Sequence, residues 1–157
     1  MEMWGDPSWG WGLSLIASTT ALHSTAVVIM ALAAAKVRVR LEARGDPLWK
    51  LIAILICLTG VIGLLLAMLH AVESAIWAVA YWWLGAVPSF IEALLYFIDS
   101  MSTRGASGLM LPPHWRILGA LEAVDGMLLF GVSTAYTFAV MQSYWPMLTT
   151  HAHLEKS

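Results

Sequence analysis

Charge is scarce in this chain. Of its 157 residues, 11% are charged and 60% are hydrophobic, whereas soluble domains average about 25% charged. That scarcity excludes a soluble globular domain. The eight basic and ten acidic residues nearly balance, so nothing points to nucleic acid as a partner. The single cysteine, Cys57, excludes an intrachain disulfide and leaves the redox compartment unread. Its expected role is packing in an apolar helix. The opening Met1-Glu2-Met3-Trp4-Gly5-Asp6 lacks the basic n-region of a signal peptide, so the first apolar segment is expected to be retained. No nucleophile–base set, phosphate loop or zinc-ligand spacing occurs. The chain is therefore not expected to be an enzyme, and no cofactor or metal is expected.

What is present is apolar sequence in long runs. A first helix is expected from Pro7 to about Lys36, with Asp6 as cap and Pro7 at the first helical position. Its small residues Ser14, Ala17, Ser18, Thr19, Ala21, Ser24 and Thr25 suit close helix packing in lipid. A second helix starts after Asp46-Pro47 and runs to about Leu84. Its charge-free stretch Leu51 to Leu69 matches the roughly 20 residues of a membrane span. Beyond it, His70, Glu73, Trp77, Tyr81, Trp82 and Trp83 read as an aromatic belt at a membrane surface. A third helix is expected from about Pro113 to Gln142, ending near Tyr144-Trp145-Pro146. Lys36, Arg38, Arg40, Arg44 and Lys50 crowd the first connector. The positive-inside rule puts that connector in the cytoplasm, the N-terminus outside and the C-terminus inside. The same basic residues suit anionic lipids. The chain thus divides into an N-terminal span with its basic loop (1–45), a pore-like region (46–146) and a polar tail (147–157).

Between the second and third helices lies a segment too short to cross. Pro88 to Ser102 is apolar, but fifteen or so residues reach only about 22 Å, short of a hydrocarbon core of about 30 Å. Thr103-Arg104-Gly105-Ala106-Ser107-Gly108 follows, then Pro112-Pro113. A segment that enters and cannot leave must turn back, and such backbone survives only when buried in protein or lining a watery cavity. Glu92 near the start of this helix suits its positive end.

From about Leu66 to Trp145, half of the chain, the text resembles the bacterial two-transmembrane potassium-channel-like family. The order is outer helix, short pore helix, filter, inner helix. Ala93-Leu94-Leu95-Tyr96-Phe97 precedes the filter position. Leu111-Pro112-Pro113-His114-Trp115-Arg116-Ile117-Leu118-Gly119-Ala120-Leu121-Glu122-Ala123 follows it, and Leu129-Phe130-Gly131-Val132-Ser133-Thr134-Ala135 looks like the inner helix. The resemblance implies an all-α inner-membrane protein: three transmembrane helices with a re-entrant pore helix and filter loop, assembled as a homotetramer and passing inorganic ions. It also implies gating hinges at Gly126 and Gly131, although glycines in membrane helices also serve plain packing.

The family's filter reads Thr-x-Gly-Tyr/Phe-Gly-Asp. Here Thr103 and Gly105 agree. Arg104 replaces an apolar residue, Ala106 the aromatic, Ser107 the second glycine and Gly108 the acid. Potassium filters use stacked backbone carbonyls in place of water; Ser107 is strained where φ is positive, and Ala106 cannot brace the loop. Poor or no potassium selectivity is the expectation. Arg104 either faces the axis, where a ring of four repels cations, or faces backward onto Asp99, one turn earlier. The backward pair is favoured because a buried charge is costly without a partner. An Asp99–Arg104 bridge closing the loop would make the chain a non-conducting structural or sensory subunit.

Ionisable groups inside membrane helices are functional candidates. Glu122 and Asp125 share a face of the third helix and are expected to pair with Arg116 or Arg104. His70 and Glu73 share a face of the second, as an interfacial hydrogen-bonded pair with a proton-sensing role. His23 stands isolated on the first helix, and a metal site needs several convergent ligands.

Overall fold

The computed structural model describes residues 7–101 and 109–154, with side chains over 7–100 and 109–150. Among these residues the elements are α1 (Pro7–Glu42), α2 (Leu48–Trp83), α3 (Phe90–Met101), a 3₁₀ turn (Pro113–Trp115) and α4 (Arg116–Leu154). α1, α2 and the Pro113–Thr150 stretch are each long and apolar enough to cross a membrane. The protein is an all-helical, multi-pass membrane protein. At about 1.5 Å per residue, the 36 residues of α2 extend roughly 54 Å, well beyond a hydrocarbon core.

The exterior supports the same conclusion. Val28, Ile29 and Leu32 on α1 are exposed, as are Ile56, Val61, Leu64 and Met68 on α2 and Met127, Leu128 and Phe130 on α4. Such faces suit hydrocarbon rather than water. Buried positions instead follow one stripe per helix. On α4 they are Leu118, Glu122, Asp125, Leu129, Ser133, Tyr136, Val140 and Tyr144, spaced three or four apart as one helical face requires. Of the seven small residues singled out on α1, from Ser14 to Thr25, only Thr19 is buried; Ser14 and Ser18 are exposed and donate to their own helix at Gly10 O and Ser14 O.

Helix ends depart from expectation on α1 and α4, while α2 stops at Trp83, next to the expected Leu84. α1 runs on to Glu42, with an Arg38–Glu42 pair at i,i+4 (2.8 Å), and Gly45 turns the chain at φ 62°. Gly85, φ 68°, follows the end of α2. Gly85 N–H donates to Trp82 O (3.1 Å) and Ala86 N–H to Tyr81 O (2.9 Å), the two bonds of a Schellman stop. An alanine there forces a side chain into the left-handed region. Gly85→Ala is expected to lower stability by about 1 kcal/mol, read as a shifted unfolding midpoint in detergent; an unchanged midpoint contradicts this role. α4 does not stop near Pro146 but continues to Leu154. The Thr149 and Thr150 hydroxyls donate to Pro146 O (3.0 and 2.9 Å).

The chain forms two compact units. One comprises Met1–His23 and Leu69–Gly131; the other comprises Ser24–Met68 and Val132–Ser157. In the second, Ala34, Leu41, Leu51, Ile62, Leu66, Tyr136 and Val140 form the core, and Tyr144 Oη donates to Ala34 O (2.8 Å). In the first, α3 lies against α2 and α4 through a core of Trp77, Tyr81, Ala93, Phe97 and Leu118. Ser89 Oγ accepts the Glu92 amide (3.2 Å) and caps α3, while Glu92 occupies its first turn. Gly12 lets α1 approach α4 closely, because a Cβ there would collide with Leu121.

Candidate functional site

Three helices of the first unit bring polar side chains to one dry place. α1 contributes Thr19 and His23, one turn apart. α2 contributes His70, Glu73, Trp77 and Tyr81, spaced by three, four and four residues along one face. α4 contributes Glu122 and Asp125. All are fully or almost fully buried except His70, which is 20% exposed.

Glu73 is the centre. Its Oε1 lies 2.8 Å from His23 Nδ1 and its Oε2 3.1 Å from His70 Nδ1, so each carboxylate oxygen meets one imidazole. The two rings lie 5.3 Å apart, tilted by 38°. Asp125 Oδ2 accepts from Thr19 Oγ1 (2.7 Å) and from Trp77 Nε1 (2.9 Å). The Tyr81 hydroxyl donates to Glu122 Oε2. Donors thus reach all three carboxylates, as buried charge requires. Glu73 Oε2, Glu122 Oε1 and Asp125 Oδ1 nevertheless remain buried without a hydrogen bond among the described residues, the His70 Nδ1 contact to Glu73 Oε2 being an ion-pair distance only. Among the described residues no lysine or arginine joins the cluster, and Arg116 is exposed. The set is acidic, with imidazole as its basic component. On α3, outside the three spans, burial first and the Glu122 carboxylate second push the Tyr96 phenol above its ordinary pKa; it stays protonated.

No family model, curated protein or solved structure matches this chain. Its site is therefore read from its own atoms.

The fold redistributes the residues singled out by sequence. His70 and Glu73 are paired, but in the interior and with His23 as third member. Sequence separation hid His23, which lies fifty residues from Glu73. Glu122 and Asp125 share a face, and their hydrogen bonds go to Tyr81, Thr19 and Trp77; Arg116 is exposed, and Arg104, the other expected partner, lies outside the described residues. Burial suits such partners, because neutral donors lose far less hydration than a guanidinium. Trp77 and Tyr81 belong to the core, whereas Trp82 and Trp83 are exposed, so only part of the expected belt faces outward. Asp99 is buried on α3. The filter positions Thr103, Arg104, Gly105, Ala106, Ser107 and Gly108 lie outside the described residues, and with them the Asp99–Arg104 pair. Gly126 is buried and Gly131 exposed within unbroken α4. A Cβ at Gly131 would meet nothing within 4 Å, so close packing inside the chain does not demand glycine there. Cys57 is exposed on α2 and not part of the chain's own core.

Proposed function

We propose that the chain is a subunit of an atypical pore-loop ion channel, four copies around an axis, conducting with poor or no potassium selectivity. One observation carries the reading. α3 has 12 residues, about 18 Å, too few to cross, and it is packed between the long α2 and α4. Its Ala93 and Phe97 face the protein, while Ile91, Leu95 and Ile98 are left exposed as a second apolar stripe. A half-crossing helix strands its terminal carbonyls and the following loop at membrane depth unless protein or a watery cavity receives them. Copies of the chain about a closed axis supply both cover and cavity. In this arrangement residues 103–108 form the constriction, α4 lines the conduit and Gly126 and Gly131 are the bending points. The basic connector lies on the cytoplasmic side of the inner membrane, with the N-terminus outside; lipids and inorganic ions are the partners.

The expected result in planar-bilayer recording with ion substitution is current that discriminates little between potassium and sodium. A strongly potassium-selective current contradicts the reading of the loop.

Burial of Asp99 favours a second reading, in which it holds Arg104 and the loop is shut. The chain is then a non-conducting subunit on a channel scaffold. Arg104→Val separates the two. Current that appears only in the variant supports the shut loop; current in both proteins, with altered selectivity in the variant, supports the working pore.

A further inference from the structure

The sharpest unassigned feature lies away from the loop, where His23, His70 and Glu73 converge. We propose that these three side chains bind one transition-metal dication of the zinc class. One ligand atom from each can be chosen so that all lie within 4.8 Å of one another. His23 Nδ1 stands 2.8 Å from Glu73 Oε1 and His70 Nδ1 3.1 Å from Glu73 Oε2, so the two imidazoles meet different oxygens of the one carboxylate. A tetrahedral zinc ion with bonds of about 2.0–2.1 Å holds its ligands roughly 3.3 Å apart.

The donor types choose the ion. Two imidazoles and one carboxylate suit zinc, cobalt or nickel; magnesium and calcium prefer oxygen alone. Neutral imidazole coordinates through a ring nitrogen that carries no proton, so both rings bind as the tautomer protonated on the other nitrogen. Three protein ligands leave one position for water or an exogenous group.

Charge favours occupancy. A dication and the Glu73 carboxylate sum to one positive charge. Asp125 of α4 is fully buried, and its second oxygen lacks a hydrogen-bond partner among the described residues. An ionised Asp125 cancels the remaining charge without lysine or arginine. Thr19 and Trp77 hold that carboxylate in place, as an outer-sphere partner must be held.

The test uses the full chain, purified in detergent, stripped with chelator and titrated with cobalt(II). Visible d–d absorption is expected to saturate at one cobalt per chain and to collapse when zinc is added. His23→Gln and His70→Gln are each expected to weaken uptake by more than about 100-fold, the upper end of what an outer-sphere partner costs, with helical circular dichroism retained. X-ray absorption of the zinc-loaded wild type keeps the test independent of variant folding; two imidazoles in the zinc shell are expected. A wild type that takes up no cobalt, as when protons alone balance the cluster, overturns the proposal. So does uptake that both variants retain, or a zinc shell without imidazole.

Discussion

Trp77→Ala is expected to cost about 4 kcal/mol of stability. Full burial of the indole sets most of that figure, since truncating a core tryptophan costs about 3–5 kcal/mol. The ring packs on Tyr81 and Phe97 at centroid distances of 6.1 and 6.2 Å, so its loss also loosens α3 from α2. Its Nε1 is one of two donors to Asp125 Oδ2, and the carboxylate left behind is short of a partner in a dry place. Denaturant unfolding in detergent reads the effect. Trp82→Ala, on the exposed side of the same helix, is expected to cost much less. Equal losses at the two positions contradict a buried Trp77.

Tyr81→Phe is expected to cost about 3 kcal/mol, because it removes the donor to a buried carboxyl while leaving the carboxyl in place. Adding Glu122→Leu should recover most of that loss. Replacing both partners by apolar groups of similar shape is nearly neutral, whereas orphaning one is not. A double-mutant cycle measures the coupling directly. Additive losses mean that Tyr81 and Glu122 do not touch. The pairing also bears on the proposed channel, since Tyr81 and Tyr96 meet edge-on at 5.7 Å, and Glu122 thereby helps fix where α3 sits.

The spans were legible in sequence because membrane helices announce themselves by what they exclude. Leu51 to Leu69 contains no charge, and no soluble helix needs such a run. α3 was legible for the opposite reason: its length is wrong for a span, and Phe90–Met101 falls within the segment expected. Helix ends were less legible. Arg38 and Glu42 pair across the last turn of α1, and α4 carries Pro146 in its interior without ending there. Neither effect appears in a hydropathy pattern.

The polar cluster was legible only in part. Each helix shows its share as a local pattern: Thr19 and His23 four apart, Glu73, Trp77 and Tyr81 four apart, and Glu122 and Asp125 three apart. These spacings put each set on one face. They do not say that the three faces meet, because that follows from packing. One signal was present: the apolar stretches carry few ionisable groups, and those on any one helix, His70 with Glu73 and Glu122 with Asp125, share a face. Taken together, these faces point inward, where hydrogen bonds are found, rather than toward lipid, where they are not. Trp77 and Tyr81 misled because interfacial belts and buried donors use the same residue types. Only their registry with Glu73 separates the two.

Most directly at stake is whether α3 is sheltered by further copies of the chain. Native mass spectrometry of the protein released from lipid nanodiscs counts the copies per particle. Four is the expected number. A chain that remains single in lipid, with α3 uncovered, contradicts a shared pore.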